Sequence, residues 1–85
     1  MQSKVAVIGV IVESLEDTAQ LNEILHEYAP YVIGRMGIPY HKRGISVLSV
    51  AVDAPQEVVD AMAGKIGAIP GISTTIAYSN AVFQD

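Results

Sequence analysis

An α+β sandwich is the fold class this sequence predicts, and three observations predict it. Valine and isoleucine supply 21 of the 85 residues, an excess of β-branched side chains that favours strands. Apolar runs of strand length alternate with two stretches of helical spacing, in the order strand, helix, strand, strand, helix, strand. Two of the four strand-like runs are apolar on both faces, which suits strands in the middle of a sheet.

The first run, Lys4 to Glu13 (KVAVIGVIVE), is continuously β-branched and reads as a buried strand. Ser14, with Glu16 and Asp17 behind it, reads as a helix start, where a capping hydroxyl and early acidic residues meet free N–H groups. Leu21, Ile24, Leu25 and Tyr28 then recur at helical spacing, and Pro30 stops that helix. Tyr31 to Ile38 is a second strand, weakened by Gly34 and Gly37, and Pro39 confines its end to a sheet edge. Residues 40 to 44 form a polar turn in which Gly44 supplies a positive φ angle.

Ile45 to Val52 is a third strand, apolar on both of its faces. Asp53, Ala54 and Pro55 open a second helix, lined on one side by Val58, Val59, Met62, Ile66 and Ile69 and ended by Pro70 and Gly71. Ile72 to Tyr78 alternates as a fourth strand. This order is that of a ferredoxin-like βαββαβ sandwich, with a four-stranded antiparallel sheet and two helices on one face. The first and third strands take the centre. One face of the sheet stays uncovered, so either Val5, Val7 and Ile11 or Ala6, Ile8, Val10 and Val12 must point that way.

Composition then narrows the function. Residues 1–85 are expected to make one domain. Hydrophobic residues are 51% of the chain and charged ones 16%, against about 25% charged in an ordinary soluble domain. A chain of 9.0 kDa folds to roughly 4,900 Å² of surface, so little interior is available for so many apolar side chains. A broad apolar face meeting a partner is the consequence, and a homo-oligomer, dimer or tetramer, is expected.

The longest uncharged apolar run, Val5 to Val12, is far short of the ~18 residues a membrane span needs. No membrane role and no export signal are expected, which leaves the cytoplasm as the compartment. Without cysteine there is no disulfide, thiolate metal site or Cys nucleophile. A net charge of −4 argues against direct nucleic-acid binding.

Residues able to do chemistry are few. His26 reads as a solvent-side residue near the first helix's negative end. His41 lies in the hairpin turn with no carboxylate within five residues; no metal site and no cofactor are expected. The carboxylate pairs Glu16–Asp17 and Glu57–Asp60 sit at helix starts, where they answer the helix dipole. Gly64, Gly67 and Gly71 trail a helix, the wrong end for a phosphate cradle.

One segment stands out: Gly34 to Ser46 (GRMGIPYHKRGIS) holds Arg35, Lys42 and Arg43, three of the five basic residues. Arg35 is a guanidinium in a strand otherwise made of apolar residues and glycine, able to fork onto a carboxylate or phosphate. The bland alternative is an edge-strand charge that discourages aggregation. Arg35, Met36, Gly37, Tyr40, His41 and Arg43 form the candidate set for a small ligand at a subunit interface.

At this segment the chain resembles a known family. VAVIGVIVES (residues 5–14), VIGRMGIPYHKRGISVLS (32–49) and GKIGAIPGIS (64–73) resemble the small proteins known as iron-only hydrogenase system regulators. The resemblance runs from Val5 to Ile76. It implies the ferredoxin-like fold, similar to the sensing domain of nickel-responsive regulators and to ACT domains, together with homo-oligomers and a regulatory role.

Two departures limit those analogies. Nickel-responsive sensors use several histidines and a cysteine, and this chain has two histidines and no cysteine. Amino-acid-binding ACT domains carry a glycine near the first helix, and Glu13 to Thr18 (ESLEDT) has none. No DNA-binding element is expected before the first strand, so any action on transcription is expected to need a partner. The expectation is a non-enzymatic regulatory protein with a small-molecule effector or a protein partner. Two other readings remain open: a composite-site enzyme or assembly factor using Tyr40, His41 and Arg43, and a bare interaction module.

Overall fold

The computed structural model describes residues 2–13 and 18–84. In chain order it contains β1 (Gln2–Val12), α1 (Ala19–Glu27), a one-turn 3₁₀ segment (Ala29–Tyr31), β2 (Val32–Tyr40), β3 (Ile45–Ala54), α2 (Gln56–Gly67), β4 (Ile72–Tyr78) and β5 (Phe83–Gln84). The sheet order is β2-β3-β1-β4, with every pairing antiparallel. The first and third strands are central, as their two-sided apolar patterns predict.

Directly paired residues of an antiparallel sheet point to the same face, so the register sorts every side chain. Ala6, Ile8, Val10 and Val12 of β1 lie beside Val52, Val50, Leu48 and Ser46 of β3. On the other flank they meet Tyr78, Ile76, Thr74 and Ile72 of β4. This is the face the helices cover. Leu21 and Leu25 of α1, and Val59, Met62, Ala63 and Ile66 of α2, pack on it with Ile69 to close the core. Ile8, Val50 and Ile66 are fully buried at its centre.

Both helices follow from the sequence with shifted ends. The predicted start of α1 at Ser14, with Glu16 and Asp17, lies outside the described residues; the helix observed begins after Thr18. Its end comes before Pro30, which sits in the 3₁₀ turn. Pro55 occupies the N-cap of α2 with Glu57 in the first turn. Gly71 turns the chain into β4 at φ 79°. Gly67 allows close packing: a Cβ there would stand 3.0 Å from Thr74 Oγ1.

Two features have no counterpart in the sequence reading. β5 pairs with the start of β1 through Gln2 and Ser3. A bulge interrupts the β2–β3 ladder between Val32 and Gly34. The β2–β3 hairpin also runs past the last β1 partner, Ser46, to the pair Tyr40–Ile45. The body accordingly measures 43 × 20 × 17 Å. Its surface, 5288 Å², exceeds the roughly 4,900 Å² expected of a compact chain this size.

Candidate functional site

Two surfaces meet on β2, and the bulge decides which residues face which. An uninterrupted ladder after Val32↔Val52 would pair Gly34 with Val50 and turn Arg35 to the uncovered face. Instead Gly34 pairs with Ala51 and Arg35 with Val50, leaving Ile33 as the extra residue. A one-residue shift reverses every following side chain. Arg35, Gly37 and Pro39 therefore join the helix-covered face, while Met36, Ile38 and Tyr40 join the open one.

The open face is built from rows across the strands. Ile38, Val47, Ile11 and Ser73 make one row, and Met36, Ser49, Gly9 and Thr75 the next. Gly34, Ala51, Val7 and Ala77 make a third. Of the two candidate sets on β1, Val5, Val7 and Ile11 thus point outward. The middle rows are small side chains, and a Cβ added to Gly9 would press within 3.3 Å of Thr75 Cγ2. Larger apolar residues surround them: Val7, Ile11, Met36, Ile38, Tyr40 and Val47 are all exposed. Asp53, opposite Val5 at one end, is the single charge in these registers.

The second surface is a cleft between α1 and β2 on the helix side. On α1 the buried stripe Leu21–Leu25 is bordered by Thr18, Asn22 and His26, spaced four apart and so stacked on one face. Those residues look across at β2. Two adjoining hollows result, sharing Asn22 and Arg35. One, about 410 Å³, is lined also by Leu25, His26, Ala29 and Val32. The other, about 290 Å³, runs past Gly37 and Leu48 towards Ser46. Arg35 makes no hydrogen bond or ion pair with the described residues.

The six ligand candidates from the sequence are not gathered in one place. Arg35 and Gly37 line the cleft; Met36 and Tyr40 stand on the open face. His41 and Arg43 lie in the exposed hairpin turn, closed by Arg43 N–H to the Tyr40 carbonyl and Gly44 N–H to the His41 carbonyl, both at 3.2 Å. Gly44 there has φ 65°, the positive angle expected of it. His26 is exposed, as expected, yet it also lines the cleft. Asn22 was not singled out by the sequence reading; its four-residue spacing from Thr18 and His26, beside the leucine stripe, is the signal that could have found it.

Away from these surfaces the polar contacts are structural. Lys65 bridges the helices to Glu27 at 2.9 Å and lies 5.1 Å from the Tyr28 ring. The hydrogen bond to Glu27, helped by one with Tyr28, raises the Lys65 pKa. Tyr78 donates to Asp60, tying β4 to α2. Burial, then that bond and the Asp60 charge, pushes its phenol up to about 12. Among the described residues no three His, Cys, Asp or Glu side chains cluster as a metal site would need. No described helix is long and apolar enough to cross a membrane.

The fold has close counterparts. The structure of the uncharacterised protein TM1266 from Thermotoga maritima superposes with a TM-score of 0.85 at 22% identity, over 89% of this chain and 96% of that one. A formyltetrahydrofolate deformylase from Pseudomonas putida KT2440 matches with a TM-score of 0.66 at 16% identity, over 91% of this chain but 29% of the enzyme. At these identities both establish the ferredoxin-like, ACT-like fold alone. None of the curated proteins matches the chain. Residues 4–75 match the TM1266-like family, described as "Iron-only hydrogenase system regulator, putative". Taken with the RMGIPY strand and the architecture it helps build, that match over most of the chain places this protein in the TM1266-like family of iron-only hydrogenase system regulators.

Proposed function

We propose that this chain is a non-enzymatic, cytoplasmic regulatory protein of the iron-only hydrogenase system. It works as a homo-oligomer whose copies join through the open sheet faces. It responds to a small-molecule effector and reaches its target through a protein partner, without touching nucleic acid itself. The family match supports the regulatory role, and the apolar sheet face carries the oligomer. That face leaves six large hydrophobic residues in water on a chain with few of the charges that normally cover a surface.

Area supports a second copy as the occupant. Four strands about 4.8 Å apart and seven or more residues long, at about 3.3 Å each, span roughly 500 Å² in plan. Side-chain relief raises the accessible area, so two copies bury about 1,000–1,500 Å², the lower part of the range for specific interfaces. Gly9, Ser49, Ala51, Thr75 and Ala77 keep the centre of this face low, so a facing sheet can approach closely. An isologous dimer uses it once in each copy. A tetramer needs a further contact, for which the exposed edge β2 is available.

Two measurements test the parts separately. Native mass spectrometry of the purified protein reads subunit count and retained ligand together; a monomer throughout the micromolar range refutes the oligomer. Deleting the gene in a cell that makes iron-only hydrogenase should change the amount of hydrogenase transcript or enzyme. Unchanged levels of both refute the regulatory role.

A further inference from the structure

We propose that the cleft between α1 and β2 binds a small organic anion. Its carboxylate or phosphate is held by Arg35 with Asn22 and His26 beside it, and its short apolar body lies against Leu25, Val32 and Leu48. This assignment deepens the effector reading above and rests on it. It puts the ligand within one subunit's helix layer, away from the sheet face that joins the copies.

Three observations carry it. The first is the bulge at Val32/Gly34, which spends one residue of the ladder to bring Arg35 onto the inner face of the sheet. Bulges are features that re-aim a side chain, and an arginine aimed for solubility alone would need none. The second is the guanidinium itself. In a chain of net charge −4, Lys65 is paired to Glu27 and Lys4 lies 5.5 Å from the Tyr78 ring. Arg35 has no such partner among the described residues, and its planar fork of donors matches an oxyanion.

The third is the composition and size of the hollow. Asn22 offers an amide and His26 an imidazole, both on the α1 stripe that borders the cleft, and its other walls include Leu25, Ala29 and Val32. Leu48 extends the apolar wall beyond Gly37, where a Cβ would intrude only as far as 3.7 Å from Leu48 Cγ. Adjoining hollows of about 410 and 290 Å³ lie near the small end of ligand sites, about 300–1,000 Å³. That suits a small molecule with a charged group and an apolar body.

The test uses the purified full chain and backbone-amide NMR with four probes: 4-methylpentanoate, isopentyl phosphate, inorganic phosphate and the uncharged 4-methylpentanamide. Expected are saturable shifts at Asn22, His26, Arg35 and Gly37 with at least one of the two amphipathic anions at up to about 10 mM, a weak-ligand range. The amide should give none. Whichever amphipathic anion binds more tightly identifies the headgroup, and inorganic phosphate alone matching it would refute the apolar half of the site. Arg35→Gln should weaken binding at least about tenfold, as loss of a charge-assisted hydrogen bond does; Arg43→Gln, in the hairpin turn, should not. Melting curves establish that both variants are folded. Shifts confined to the sheet face or hairpin overturn the cleft while leaving an effector in place, and no shift with any anion overturns the anion site. Neither result bears on hydrogenase levels in the deletion strain, so the regulatory reading stands or falls separately.

Discussion

Val47→Asp is the sharpest probe of the sheet face. Val47 sits on β3 between Ile38 and Ile11, with Ile45 and Ser49 before and after it on the same side. No cation stands in those registers to receive a carboxylate, and an aspartate is too short to snorkel out to the rim. In the monomer the change is mild. Val47 is already 38% exposed, and a poor strand former there costs about 1 kcal/mol, well within a domain's ~5–15 kcal/mol stability.

In a face-to-face dimer the same change acts twice. Each copy loses the burial of the remaining valine surface, about 0.6–1.1 kcal/mol. Each also brings an unpaired charge into an apolar contact, an arrangement worth about 3–5 kcal/mol when a buried partner is missing. Counting only the smallest of these charge terms, dissociation rises at least about a hundredfold. Val47→Thr keeps the branched shape without the charge and should shift it less than about tenfold. Sedimentation velocity between about 1 and 100 µM covers the range in which a contact of about −5 to −8 kcal/mol titrates. A wild-type monomer throughout refutes the interface. So does a Val47→Asp protein that associates as the wild type does.

Other predictions follow from the core, from Tyr78 and from the bulge. Ile8, fully buried between Val50 and Ile76, should cost about 2–5 kcal/mol as Ile8→Ala, read by urea unfolding; a loss under about 1 kcal/mol contradicts the assigned core. The Tyr78 phenol, raised from 10.0 to about 12, contributes stability that is complete below pH 10 and lost as pH rises through about 12. Between those values the unfolded chain ionises and the folded one does not. Difference absorbance titration against Tyr78→Phe isolates that phenol, and a midpoint near 10 refutes both its burial and the Asp60 contact. Deleting Ile33 removes the extra residue and leaves Val32, Gly34 and Arg35 opposite Val52, Ala51 and Val50 as a regular ladder, so Arg35 should stay on the helix-covered face and anion binding in the cleft should survive; its loss in a protein that still melts cooperatively refutes that register.

The fold was legible because each of its signals is local. A continuous Val/Ile run is enough to mark β1 as central, and Leu21, Ile24, Leu25 and Tyr28 mark the buried side of α1 whatever lies beneath it. Pro39 and the paired glycines identified β2 as an edge. β5 escaped because two residues carry no periodicity; Phe83 and Gln84 are a strand only because Gln2 and Ser3 are there to pair with them. The helix start at Ser14 rests on residues the structure does not describe, and Thr18 precedes the first observed turn without a side-chain cap.

The site was legible in part, for a geometric reason. Composition singled out Arg35 as an odd residue, but the grouping of Arg35 with Met36 and Tyr40 treats a stretch of chain as a place. In a strand, neighbours face opposite ways, so Arg35 and Met36 are separated by the thickness of the sheet although they are adjacent in sequence. Counting by twos from Val32, which packs against the core, would moreover have put Arg35 outside. Only the extra residue at Ile33 places both Val32 and Arg35 on the same side. Nothing in GRMGIPY announces a bulge beyond the glycine that permits it. The facing of β3 is the same in either ladder, with Val50 inside and Ala51 outside; the bulge changes β2 alone, and with it β2 presents its one cation to α1. The two surfaces therefore share a strand. Residues that read as one motif in the sequence serve a polar cleft on one side and an apolar face on the other.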